Sequence, residues 1–252
     1  MRIRTIIAIL AVCSPLGAQW LKVPSKNLPR TSDGKPDLNA PVPKSADGKP
    51  DLQGIWMPQG GFIFNIAAGQ KPEDIPYQPR AKALYDSRQA NESIDDPVGH
   101  CIPAGVPRAD AVPYPWKLIR LPDEYVILYE AVHGWRQIFM DGRAMPKDPN
   151  PTWMGYSVGH WDGDSLVIET TGFNDKGWLD NAGRPATDAL KVTERLTRRN
   201  IGTLNVAITI DDAKAYTKPW VVNETFRLLP DTELLEYVCN ENNKDLGHLV
   251  GK

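Results

Sequence analysis

The chain has 252 residues, with 29 Lys and Arg against 31 Asp and Glu and a formal charge of -2. A balanced charge with no basic run argues against nucleic acid as a partner. The length is enough to bury a core as one large β domain, or as a domain with extensions.

Residues 1–18, MRIRTIIAILAVCSPLGA, read as a secretory signal peptide. Arg2 and Arg4 form the basic start, and the apolar run from Ile6 to Val12 is too short to span a bilayer. Ser14, Gly17 and Ala18 supply the small residues before a cleavage expected after Ala18. The rival is a lipoprotein signal ending at Cys13, with bulky Val12 where a small residue is wanted. No later stretch is apolar enough to cross a membrane, so a periplasmic or secreted protein without stable membrane insertion is expected. Beyond the signal, Cys101 and Cys239 remain. In an exported chain they predict a disulfide; two unpaired buried thiols are the alternative.

Residues 19–50 are a Pro/Lys-rich extension that holds DGKPDL twice, at 33–38 and 47–52. Only the second copy runs on into an apolar strand, GIWMP, so the first reads as linker and Asp47-Gly48 as the turn into strand one. Residues 51–252 then form the main domain. Residues 59–77 read as an irregular loop. A helix follows near 79–90, with Pro79 in its first turn. DDPVGHCIPAGVPR is a loop stiffened by Pro97, Pro103 and Pro107.

From Trp116 onward the pattern is β. Candidate strands cover 115–121, 124–132, 135–141, 155–161, 164–171, 190–199, 203–210, 220–229 and 233–240, mostly separated by turn signals such as Pro122-Asp123 and Asp162-Gly163. Short turns between strands describe an all-β antiparallel meander, and closing it into a barrel removes its edges. An opening strand with Gly54 and Trp56 followed by such a meander resembles the lipocalin plan, a likeness of fold that carries no function. DGKPDLQGIW, DPVGHCIPAGVPR, the DGR at 141–143, MGYSVGHWDGDSLVIETTGFND and VTERLTRR together resemble a group of uncharacterised secreted bacterial proteins. That likeness implies an exported β-rich domain and no particular activity. Its relatives carry histidine near positions 186 and 191, where this chain has Ala186 and Lys191.

In GHWDGDSLVIETTGFND, Asp162-Gly163 reads as a two-residue type I′ loop, which sets Trp161 opposite Asp164. Gly159 then pairs with Leu166 and Ser157 with Ile168, on a face shared with Gly155 and Thr170 that should point inward. Its small residues leave room for a ligand or a bulky neighbour. The other face, with Tyr156, Val158, His160 and Glu169, should be wet. The loop after it carries Asp175 and Trp178, either as ligand-binding residues or as a cap whose Asp and Asn side chains bond their own backbone.

Four glutamates interrupt apolar strand faces: Glu130, Glu194, Glu224 and Glu236. Alternation points each the way its neighbours point, and an unpaired carboxylate inside would cost several kcal/mol or take up a proton. Arg136, on a face with Ile138 and Met140, falls near Glu130; Arg120, Arg195 and Arg227 are other partners. Three readings stand: internal ion pairs that fix register, a polar cavity with an acid and a carboxylate for proton transfer, or faces turned outward. The second makes Glu130, Glu194 and Arg136 the candidate catalytic residues, and Tyr129, Trp153, Ser157, Asp175 and Trp178 the candidate ligand-binding ones. The sequence has no phosphate loop or dinucleotide fingerprint, and its histidines lack metal-ligand spacing, so neither cofactor nor metal is expected. The expected function is an exported barrel binding a small organic ligand, sugar-like or phenolic. The rivals are a cofactor-independent lyase, isomerase or hydrolase in the same cavity, and an envelope interaction module with a filled core.

Overall fold

The structure, a computed structural model, describes residues 23–59, 65–131 and 134–241. The expected signal peptide and the Cys13 alternative lie outside the described residues. Nine strands close into one barrel in chain order: β1 Gly54–Pro58, β2 Trp116–Arg120, β3 Glu124–Tyr129, β4 Trp135–Phe139, β5 Tyr156–Asp162, β6 Ser165–Thr171, β7 Lys191–Asn200, β8 Thr203–Asp211 and β9 Trp220–Leu228. The expected all-β closed barrel is present. One seam departs from the antiparallel meander: β4 and β5 run parallel and pair only at Ile138↔Ser157 and Phe139↔Val158. The long, proline-bearing link over 140–155 carries the chain back along the wall before β5 begins, as a parallel crossover requires.

Alternation fills the lumen. On β7 it is strict, with Val192, Glu194, Leu196 and Arg198 inside and Lys191, Arg195 and Arg199 outside. Trp56, Trp116, Tyr125, Leu118, Ile138, Leu166, Ile168 and Phe226 from opposite walls are fully buried together. Trp116 and Phe226 meet edge to face at 5.2 Å. The room expected beside Gly159 is taken by bulky neighbours: a Cβ there would stand 2.6 Å from Met140 Sδ and 3.0 Å from Ile138 Cγ2.

The 233–240 segment does not form a strand. β9 pairs directly with β1, through Trp56↔Leu228 and Pro58↔Phe226, so closure leaves no edge for a tenth strand. The segment instead runs outside the barrel, where Leu235 N donates to Glu130 Oε2 at 2.9 Å and Cys239 is disulfide-bonded to Cys101. That bond closes a loop with a sequence separation of 138. Replacing both cysteines by serine is expected to lower the unfolding free energy by about 2–4 kcal/mol. Urea denaturation would show it, and an unchanged midpoint would mean that the bond constrains nothing.

The first DGKPDL copy is folded, not a linker. Both copies make the same turn, with Gly34 at φ 80 and Gly48 at φ 79. Asp37 N and Asp51 N reach Pro29 O and Pro43 O, each at 2.8 Å. The first copy lies against the β7–β8 turn, where Gly202 N donates to Leu38 O at 2.8 Å and Ile201 N to Ala40 O at 3.0 Å. The expected helix is present as α1, Pro79–Ala90. A second, α2, Arg108–Ala111, is short and wholly buried.

Candidate functional site

β4 sends Arg136 and Ile138 inward and leaves Trp135 and Gln137 outside. β5, β6 and β7 bring Ser157, Thr170 and Glu194 to the same level of the lumen, all buried. Arg136 Nε donates to Ser157 Oγ at 2.9 Å, and Nη2 donates to Thr170 Oγ1 at 2.6 Å and to Glu194 Oε2. From α2, Asp110 closes the cluster. Its Oδ2 stands 3.5 Å from Arg136 Nη1, and its Oδ1 accepts from Tyr129 Oη at 2.6 Å. Arg136 Nη1 and Asp110 Oδ2, both buried, make no hydrogen bond of their own.

Burial, and then the charge of Glu194, raise the Asp110 carboxyl against the opposing pull of Arg136 and the Tyr129 hydroxyl. Burial alone would lower the Arg136 guanidinium; Glu194 and Asp110 outweigh it and hold the group above its ordinary value. Burial and the adjacent Asp110 likewise hold the Tyr129 phenol protonated. The arrangement is therefore one buried cation facing two carboxyls, Glu194 and Asp110, with the Ser157 and Thr170 hydroxyls beside it. An ion pair bonded to side chains on neighbouring strands ties β4, β5, β6 and β7 together. A buried carboxyl raised above its ordinary value close to a second carboxyl is also a pattern used for proton transfer.

The parallel seam lies beside this cluster, whose side chains stay buried. Above the two paired positions β4 and β5 separate, leaving a cleft of about 430 Å³. Its walls are Trp135, Phe139, Trp153 and Tyr156, and its lining includes Arg136 and Ser157. Gly155 lets the start of β5 lie close against β6. Its φ is 70, and a built Cβ there would stand only 2.6 Å from Thr170 Cγ2 and 2.8 Å from Thr171 O.

Of the residues singled out from sequence, Arg136, Glu194, Tyr129 and Ser157 come together here, and Trp153 forms a wall of the adjoining cleft. Glu130 is elsewhere. Tyr125 and Ile127 take the inward face of β3, so Val126, Leu128 and Glu130 face out, and Arg136 pairs with Glu194 and Asp110 instead. Val126 and Leu128 are strand formers on an outer surface. Asp175 is exposed, and Trp178 is buried away from the cleft beneath Arg88, whose guanidinium lies 4.1 Å from its ring centre. The loop holding both is built as a cap. Asp180 Oδ2 accepts from Ile66 N at 2.9 Å and Arg184 Nη1 at 2.6 Å, and Asn174 Oδ1 from Lys176 N at 3.2 Å. Glu224 points inward alone, and Glu236 is exposed in the tail.

The hairpin loop falls on Gly163-Asp164, one residue later than expected, giving Asp162↔Ser165, Gly159↔Ile168 and Ser157↔Thr170. Only Gly163, at φ 60, adopts the left-handed conformation, so the two positive φ angles of a type I′ loop are not met. A glycine at the first position is what a type II′ loop demands. The slip moves each partner by two residues, so the inward face is the expected one.

Sequence reasoning missed Asp110 as a site residue. Its only signal was a charged pair, Arg108 and Asp110, inside the small and apolar run AGVPRADAVPYPW. Among the described residues no group of three or more His, Cys, Asp or Glu side chains is placed to hold a metal ion. Comparison with protein-family models, with curated proteins and with solved structures finds no match to this chain.

Proposed function

We propose that the chain is an exported barrel that binds a small organic ligand, sugar-like or phenolic, in the β4–β5 cleft. One observation carries this reading: an aromatic-walled cleft of about 430 Å³ whose lining includes Arg136 and Ser157 from a buried, hydrogen-bonded polar cluster. Ligand sites of this kind are mostly apolar, with few polar groups held rigidly in place. Export is supported by the character of residues 1–18 and by the Cys101–Cys239 bond. No helix among the described residues is long and apolar enough to cross a membrane.

Catalysis is the second reading, favoured by the raised Asp110 carboxyl beside Glu194. Neither carboxyl is among the residues lining the cleft, which ranks binding first. Thermal-shift screening with sugars, phenols and lipids tests the first reading. A hit is expected to lose its shift in Thr152→Trp, an exposed rim position where added bulk fills the cleft without touching the core. A hit that keeps its shift in that variant, or a screen without hits, counts against the cleft.

A further inference from the structure

The cleft has a charge balance and a degree of openness that narrow its occupant. Resting on the reading of the cleft as a ligand site, we infer that it takes a neutral saccharide, with a pyranose ring stacked on Trp135.

Charge comes first. Arg136 is already matched by Glu194 and Asp110 inside the barrel. At the rim, Arg143 Nε is bonded to Asp141 Oδ1 at 2.8 Å, and its guanidinium lies 3.9 Å from the Phe139 ring centre and donates to Tyr156 Oη at 3.2 Å. Among the described residues, the two cations at the cleft are thus each held by a carboxylate of the chain. An anionic or a cationic ligand would have to displace one of those pairs to find a counter-charge. A neutral ligand disturbs neither.

Openness comes second. Trp135 is 61 % exposed, and Phe139, Trp153 and Tyr156 are only half-buried. A ligand apolar on both faces would keep one of them in water and gain only part of the benefit of burial. A pyranose has a C–H face that suits an indole ring and hydroxyl edges that stay hydrated. The exposed Thr152 and the Gln137 amide, whose Nε2 donates to Glu124 Oε2 at 3.0 Å, add polar atoms at the same rim.

The test is intrinsic fluorescence and calorimetric titration of the full chain with glucose, galactose, mannose, N-acetylglucosamine and cellobiose, beside glucuronate and phenol. At least one neutral sugar is expected to bind saturably, with affinity reduced about tenfold or more by Trp135→Ala. The unfolding temperature of that variant should be unchanged, since the side chain is mostly outside the core. Phenol or glucuronate binding lost in Trp135→Ala, with no neutral sugar bound, would overturn the saccharide assignment and leave the cleft as a binding site. Sugar binding indifferent to Trp135→Ala would overturn the stacking site. If no probe of any class binds, both the saccharide and the broader ligand reading fall.

Discussion

Arg136→Met is expected to cost about 3–5 kcal/mol of folding stability, far more than its loss of packing alone. The guanidinium is 2 % exposed and is the donor shared by Ser157, Thr170 and Glu194, with Asp110 facing its remaining nitrogen. Removing it leaves Glu194 buried without its cation and takes a donor from Ser157 and Thr170, which keep only each other at 3.0 Å. The partner experiment is Arg136→Met with Glu194→Leu and Asp110→Leu. Taking out all three ionisable groups together should recover most of the loss, because the desolvation of each charge disappears with it. Urea unfolding of the three proteins, read at constant slope against denaturant, separates the cases. If the single variant unfolds at the wild-type midpoint, the cluster is not a matched network and loses its standing as the rigid polar edge of the cleft. If the triple variant is no better than the single one, side-chain volume rather than charge is what Arg136 contributes.

The parts of this site that were legible in the sequence are those set by local alternation. Glu194 lies between Val192 and Leu196 on a strand with no break in its pattern, and it faces the way they face. The inward face of the hairpin survived a misplaced loop, because a one-residue shift of the turn moves each partner by two and leaves the two sets of side chains intact. Glu130 failed for a reason that alternation cannot mend. Both faces of β3 are apolar, Tyr125 and Ile127 on one, Val126 and Leu128 on the other. Period-two patterning divides them without saying which set looks inward; closure of the barrel decides. The direction of β5 has no local signal at all, since a strand reads the same whether its neighbour runs with it or against it, and the cleft lies at the seam where these two run together. Asp110 was hidden for a third reason: it comes from one turn of helix held between prolines, too short to show a period. The 233–240 segment reads as a strand by composition, but barrel closure leaves it no edge to pair with. The features of the candidate site that local pattern hid thus lie where the chain departs from repeating structure: a parallel seam and a single helical turn.

Glu224→Gln is expected to flatten the fall in stability at high pH. Glu224 lies inside the barrel on β9 between Val222 and Phe226, opposite Val206, 1 % exposed, and neither carboxyl oxygen has a hydrogen-bond partner. Burial, with no compensating charge, pushes its carboxyl up to about 8 from an ordinary value of 4.5. Between those two values the folded chain holds a proton that the unfolded chain has released. Stability therefore declines as pH rises through that interval, and above it the full penalty of about 5 kcal/mol is present. Glutamine keeps the shape and never ionises. Relative to the wild type, its unfolding free energy should improve by about 4 kcal/mol on going from about pH 5 to about pH 9. Asp110, raised as well, leaves a residual slope of the same sign in the variant, so the difference between the two proteins is the quantity to read. Glu224→Leu should be more stable than either at every pH, because it also removes the two oxygens that nothing bonds. Parallel stability curves for the wild type and Glu224→Gln would place the carboxylate in contact with water or with a cation. The lumen would then be open on the side where Leu204, Val206 and Phe226 now close it, and a ligand would have a second way in.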